Sequence, residues 1–182
     1  MRLSHTKLHL FEFCPWAYHL RYDKKIRPPY QPQLLAGAVV HNVIAEFLIR
    51  VRDNLSTDLS DLDAIFENRW RSARVLDSDK TVNRRAVTLK LVHEYWKTNQ
   101  ADFGHPLKLE ERFRLDLGDV RLEGIVDRVE DLGSGKVEVI DYKSGAAPPG
   151  NPAENNLQLS IYALACQEAW GLSPTAVSLY FL

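Results

Sequence analysis

Gly124-Ile125-Val126-Asp127 and, fourteen residues after Asp127, Asp141-Tyr142-Lys143 bracket the segment that decides how this chain folds. Between them, Asp131-Leu132-Gly133-Ser134-Gly135-Lys136 reads as a hairpin turn joining two strands rich in β-branched residues. Asp127 and Asp141 are equidistant from Ser134. An antiparallel hairpin centred there places them opposite one another, with Cβ atoms roughly 5 Å apart. Two facing carboxylates repel, and a divalent cation, Mg²⁺ or Mn²⁺, removes that repulsion. Lys143 falls two residues beyond Asp141, on the same strand face, and puts a fixed positive charge beside the proposed metal. A structural Asp–Lys pair on a solvated face would explain the Asp-x-Lys element alone but leaves the opposing acid without a reason.

The 182 residues suffice for one domain with its own core, 1–182, divided into a mainly helical part, 1–105, and a sheet core with the last helix, 106–182. Hydrophobic residues at 45% and charged residues at 26% are in the range of globular proteins. Met1–Pro15 holds no apolar run of signal-peptide length and no segment reads as long enough to span a membrane, so a cytoplasmic location without membrane association is expected. Cys14 and Cys166 are far apart and lack a C-x-x-C partner, which argues against a disulfide framework or zinc site. The net charge is −1, yet between Glu67 and Lys90 seven bases face three acids (Glu67, Asp77, Asp79). Arg21, Lys24, Lys25 and Arg27 form another basic group. Both could contact phosphates, and both could be solvated helix faces.

The first half reads helical. Ser4 is an N-cap candidate for a helix that Pro15 breaks, and Arg27–Pro32 cannot continue a helix. Apolar residues at helical spacing mark helices over about Gly37–Arg52, Leu59–Trp70 and Asn83–Asn99, the last with a stripe of Val87, Leu91 and Tyr95. After Pro106 the period becomes two, and Glu111 takes its place on the apolar face with Leu109, Phe113 and Leu115. Strands near 120–130 and 136–143 follow, then a loop through Pro148–Pro152. A helix over Glu154–Trp170 is ended by Gly171, and a last strand runs over Thr175–Leu182. The order is an α-β-β-β-α-β core with added N-terminal helices, an α/β fold with a mixed central sheet. A chain stopping in an apolar strand reads as a fragment of something longer.

His41, four residues after Gly37, lies beside its helix's apolar stripe, where a histidine serves as a packing residue, a cap or a ligand. Gly37 permits close approach of a helix start to a sheet or a phosphate. Gln158 and Tyr162, at i and i+4, share one helix face, either as a rim or as hydrogen-bonding groups pointed at substrate.

Gly37-x-x-x-His41, Gly124-x-x-Asp127, Asp141-x-Lys143 and Gln158-x-x-x-Tyr162, together with the opening Leu3-Ser4-x-x-Lys7-Leu8-x-x-Phe11-x-x-Cys14-Pro15, resemble in order and spacing the RecB-like branch of the PD-(D/E)XK nucleases. The nearest likeness is to the nuclease domains at the C-terminal end of UvrD-, AddA- and AddB-type helicases. The resemblance implies His41, Asp127 and Asp141 as metal ligands, with the Tyr142 backbone carbonyl as a fourth. It implies that Lys143 positions or deprotonates the attacking water, that Gln158 and Tyr162 hold the DNA strand or support Lys143, and that Gly37 meets the substrate. Glu111 would stand behind these as a supporting or second-metal group, or as a buried partner of Arg112 or Arg128. Some relatives bind an iron–sulfur cluster through a cysteine at the Cys14 position and three near the C-terminus. Here the three are missing, and four ligands are needed, so no Fe–S cluster is expected and Cys14 becomes a packing residue, unless a further C-terminal segment supplies the others.

The resemblance implies a Mg²⁺- or Mn²⁺-dependent deoxyribonuclease, an exonuclease on single-stranded or unwound DNA in repair or recombination. Its partners would be DNA, especially single-stranded ends, and a helicase motor in cis or in trans. The competing readings are a nuclease-fold module kept for DNA binding or scaffolding without catalysis, and a restriction-type endonuclease.

Overall fold

The computed structural model describes residues 1–74 and 79–182, the side chains of residues 79–83 excepted. Asp77 and the side chains of Asp79 and Lys80, counted above in the basic run, lie outside the described residues. In chain order the elements are β1 (Arg2–Leu3), α1 (His5–Phe13), α2 (Pro15–Tyr18) continuing into a π-helical turn (His19–Asp23), α3 (Pro32–Arg52), α4 (Leu59–Ser72), α5 (Asp79–Asn99), β2 (Pro106–Leu117), β3 (Val120–Asp131), β4 (Lys136–Lys143), α6 (Leu157–Trp170) and β5 (Ser173–Phe181). The expected α-β-β-β-α-β core is present. The strand β1, pairing in parallel with Arg121 and Leu122, was not anticipated because two residues carry no period.

Local chemistry explains most boundaries. Ser4 Oγ accepts from Lys7 N at 3.4 Å, and Pro15 both ends α1 and opens α2, whose N-cap is the Cys14 sulfur. Pro32 begins α3 five residues before the expected start, because a first-turn proline lacks only an N–H the helix would not use. Asn156 caps α6, which therefore starts at Leu157 rather than at Glu154. Gly171, at φ 64, closes it in the left-handed conformation.

The hairpin forms as the spacing predicts. β3 and β4 pair antiparallel from Asp131–Val137 to Arg128–Ile140, and Lys136 N donates to Gly133 O at 3.0 Å across the turn. β2 lies antiparallel on the other side of β3, while β5 runs parallel to β4 along the sheet edge, where Pro174 removes no needed donor. The sheet is mixed, with helices on both faces. Ile140 and Tyr142 of β4 join the core of α3, α4 and α5, whereas Val137 and Val139 join that of α6.

Two expectations need correction. α3, at 21 residues, is long and apolar enough to cross a membrane, contrary to the reading that no segment approaches that length. Its Val40, Val43, Ile44, Phe47 and Leu48 are at most 1% exposed, so the apolar stripe is spent on the protein's own core. In α5 Tyr95 is buried and Leu91 packs against the same core as expected, but Val87 is 53% exposed, and Thr88 and Val92 are buried beside them. A one-residue phase error on a helix moves a side chain by roughly 100°.

Behind the hairpin, Arg128 is buried and fully engaged. Its Nε donates to Glu130 Oε2 at 2.8 Å, its Nη2 to the Phe103 carbonyl at 2.7 Å, and its Nη1 to the Tyr142 and Tyr95 hydroxyls at 3.2 and 3.3 Å. Arg128→Ala, which strands the buried Glu130 carboxylate, is expected to lower unfolding free energy in urea by about 3–5 kcal/mol. The double substitution Arg128→Met with Glu130→Leu should recover most of it. A single-variant loss under about 1 kcal/mol would mean that solvent screens the pair.

Candidate active site

The site forms where the sheet loses its regularity. β3 pairs with β1 only at residues 121–122 and with β4 only from residue 128 onward, leaving the edge from Glu123 to Asp127 without a strand partner. Carried one step past Arg128–Ile140, the hairpin register puts Asp127 opposite Asp141. There β3 and β4 have parted: the Tyr142 N–H donates to Asp127 Oδ2 at 2.9 Å, so a side chain takes the place of a ladder carbonyl. An extended residue turns its N–H and C=O to the same edge, which directs the Tyr142 carbonyl into the fork. The Lys143 carbonyl points away and accepts from Leu182 N at 3.0 Å.

The third acid is Glu110, not Glu111. Leu109 packs into the α3 core, while Phe113 and Leu115, of the same parity, pack into the α6 core. Side-chain alternation therefore slips between them, and the slip falls at Glu110, whose φ is 46. Neighbouring pairs Leu109–Arg128 and Glu111–Val126 place Glu110 across from Asp127. Glu111 is exposed, and Arg128 has Glu130 as its partner. No glycine or proline marks the slip, so the sequence pattern hides it.

His41 on α3 completes the cluster. Its Nδ1 is 3.2 Å from Asp127 Oδ2 and 3.7 Å from Glu110 Oε1. One potential ligand atom from each of the three residues lies within 4.8 Å of the others. Burial alone would lower the His41 pKa, but the Asp127 and Glu110 hydrogen bonds and charges overcome it and push it up to about 10. Asp141, 1% exposed, has its pKa raised first by burial and then by Asp127, with Lys143 and His41 opposing. Lys143 Nζ stands 2.5 Å from Asp141 Oδ2, yet that buried oxygen receives no directed hydrogen bond. Imidazole and carboxylate donors clustered this closely, with Asp141 Oδ2 held by its ion pair with Lys143, suit a hard divalent cation.

A relay from α6 holds the lysine. Lys143 Nζ donates to Gln158 Oε1 at 2.9 Å, and Gln158 Nε2 donates to Tyr162 Oη at 2.8 Å. Burial above all raises the Tyr162 pKa, keeping the hydroxyl protonated. The Tyr162 ring meets Phe113 edge-on, 6.1 Å between centroids. Phe113 in turn lies so close over Gly124 that a Cβ there would fall 2.7 Å from its ring. The Gly-x-x-Asp element thus needs its glycine to let an aromatic ring cross β3.

The remaining expected residues fall as follows. A Cβ on Gly37 would touch only Ser144 Oγ, at 3.4 Å, so the glycine brings α3 near the end of β4 without being demanded by it. Cys14 Sγ accepts from Ala17 N at 3.4 Å, and Cys166 is buried in the α6 core. The basic run is partly neutralised, since Arg69 pairs with Glu46 and Arg85 with Glu67. Arg21, Lys24, Lys25 and Arg27 are exposed. His5 of α1 lines the same cleft as Glu110 and Asp127 and was not foreseen, since one histidine in a capped first turn carries no distinguishing pattern.

An open-ended mixed sheet with acids, a histidine and a lysine gathered at a strand fork defines a class of hydrolytic fold: the chain belongs to the PD-(D/E)XK nuclease superfamily, whose family model matches residues 2–182. Among curated proteins it is similar to a subunit of the ATP-dependent helicase/deoxyribonuclease of three Clostridium perfringens strains, with 25% identity over 195 residues. That match covers 87% of this chain and 17% of each relative's length. Among solved structures it resembles a candidate exonuclease from Eubacterium rectale, with TM-score 0.60 and 9% identity over 99% of this chain and 68% of that one. This last likeness is one of fold.

Without metal, stability should fall as pH rises. His41 is raised from 6.5 to about 10 in the folded state, so its stabilisation is complete below about pH 6.5 and lost as pH climbs to 10. The raised Asp141 acts with the same sign at lower pH. Thermal unfolding in EDTA is expected to show this decline, and His41→Asn to flatten it above pH 6.5; parallel curves for parent and variant would contradict the assigned contacts.

Proposed function

We propose that residues 1–182 act as one unit, a divalent-metal-dependent deoxyribonuclease that hydrolyses phosphodiester bonds at single-stranded or unwound DNA ends. The observation that carries this reading is the convergence of His41, Glu110, Asp127 and Asp141 on one strand fork with Lys143 beside them. His41, Glu110 and Asp127 would hold the cation, with Asp141 and the Tyr142 carbonyl turning to it when present. A bound Mg²⁺ or Mn²⁺ supplies charge neutralisation at the phosphate and brings the pKa of a water toward neutrality.

The chain's own groups do the rest. The Tyr142 N–H fixes one oxygen of Asp127, leaving the other carboxylate edge for the cation. Lys143, steadied by Gln158 and Asp141, places a positive charge where the attacking oxygen and the phosphate approach, and orients that oxygen by hydrogen bonding. Tyr162 and Phe113 restrict the Gln158 rotamer, so Lys143 is set before substrate arrives.

The likeness to a helicase/deoxyribonuclease component supports a helicase motor as partner, in cis or in trans, and a place in DNA repair or recombination inside the cytoplasm. Near-zero net charge gives weak, salt-sensitive hold on DNA, and tethering to a motor raises local substrate to the millimolar range for short linkers. Within these 182 residues Cys14 caps α2 and Cys166 is buried in the α6 core, so the two do not make a four-ligand cluster by themselves.

End-labelled single- and double-stranded DNA with and without Mn²⁺ tests the proposal. Lys143→Ala should cut cleavage by about 10²-fold or more while keeping the Mn²⁺-induced rise in melting temperature. Asp127→Asn should abolish both. Cleavage by Lys143→Ala at the parent rate would remove the lysine from the mechanism, and a parent protein that binds DNA but never cuts it would leave the scaffolding reading in its place.

A further inference from the structure

His5, the first residue of α1, lines a cleft of about 370 Å³ together with Glu110, Asp127, Gln158 and Tyr162. α1 rests on α6, and its first turn is held by the Ser4 cap and by Lys7 Nζ donating to the Arg2 carbonyl at 2.9 Å. The half-buried imidazole stacks on His9, one turn on, with centroids 5.9 Å apart and planes 16° from parallel. Among the described residues the His5 ring has no hydrogen-bond or ion-pair partner. On the far side of the cleft the relay donors are drawn toward protein partners, Lys143 toward Asp141 and Gln158, and one N–H of Gln158 toward Tyr162. The carboxylates Glu110, Glu123 and Asp127 on the cleft wall oppose a polyanion. A phosphate entering there gains from a donor on the α1 wall that carries no competing contact. Burial first, then the charges of His9 and Lys143, keep the imidazole below its ordinary pKa, and a neutral imidazole still has one N–H to give.

We propose that His5 is a substrate-contacting residue: its ring N–H donates to a non-bridging oxygen of the phosphate held in the cleft, from the wall that α1 contributes. The inference deepens the nuclease reading and rests on it for the identity of the ligand. It gives α1 a direct part in binding DNA.

The test compares the parent with His5→Phe, which keeps a ring for His9 to stack on, and His5→Gln, which restores a donor. Cleavage of a single-stranded oligonucleotide is measured with Mn²⁺, and binding of the same oligonucleotide by anisotropy with Ca²⁺. His5→Phe should lose about tenfold or more in kcat/KM and in affinity, the range for a hydrogen bond to a charged group, and His5→Gln should return to within about threefold of the parent. On a methylphosphonate oligonucleotide, which lacks the charged acceptor, parent and His5→Phe should bind alike. The Mn²⁺-induced rise in melting temperature should be the same in all three. His5→Phe that binds and cuts like the parent, or a loss that Gln does not restore, overturns the proposal. A parent that fails to cut but binds DNA through His5 in the Ca²⁺ measurement would end the nuclease reading and leave this contact standing.

Discussion

The hydrogen bond from the Tyr142 N–H to Asp127 Oδ2 is the contact on which the site's geometry turns. In a regular hairpin that N–H would meet a backbone carbonyl of β3 and the two strands would stay zipped. Substituting a carboxylate for the carbonyl lets β3 and β4 separate one residue past Arg128–Ile140 while keeping the Tyr142 N–H paired. The opening leaves Asp127 and Asp141 close enough for the charge of one to raise the pKa of the other. A fork of this kind needs an acid at position 127 and nothing bulky beside it, and Gly124 with the Phe113 ring over it meets the second condition.

Such an opening is costly unless the strands are pinned elsewhere. Arg128, next to Asp127, is anchored on the opposite face by Glu130, the Phe103 carbonyl and two tyrosine hydroxyls. One of those hydroxyls belongs to Tyr142 itself, so the same residue is held by its ring on one face and by its N–H at the fork. The tyrosines Tyr95, Tyr142 and Tyr180 meet edge-on within 6 Å, a rigid support that tolerates little movement of β4. Loss of regular pairing at the site is thus balanced by a dense buried polar network directly behind it.

The electrostatics carry the same logic. Three acids at short range are mutually unfavourable without a cation: burial and Asp127 raise the Asp141 pKa, and the half-buried His41 answers the acids by holding its proton, its pKa raised by Asp127 and Glu110. Protons held in this way are ones that a divalent ion, if bound, would displace, so occupancy of such a cluster depends on pH. Superfamily membership fits that arrangement, although fold alone would not have required it.

The sequence by itself determined the hairpin and its register as far as Arg128–Ile140, one step short of Asp127 and Asp141, together with the place of Lys143 beyond Asp141 and the helix that carries Gln158 and Tyr162. All of these follow from local rules: a turn centred on Ser134, a strand period of two, and an i, i+4 helix pair. It also placed His41 on the helix now seen to pack against the sheet, though only a resemblance made it a ligand. What tertiary structure decided is which glutamate joins the site. Alternation along β2 pointed to Glu111, but a single residue with positive φ moves the strand from one core to the other and turns Glu110 inward. The same holds for His5 and for the partners of Arg128, because the distance between a first-turn histidine and a strand fork more than a hundred residues away is set by how α1 rests on α6. Local periodicity fixes the direction of side chains within an element, whereas the meeting of side chains from separate elements depends on packing that no short window of sequence contains.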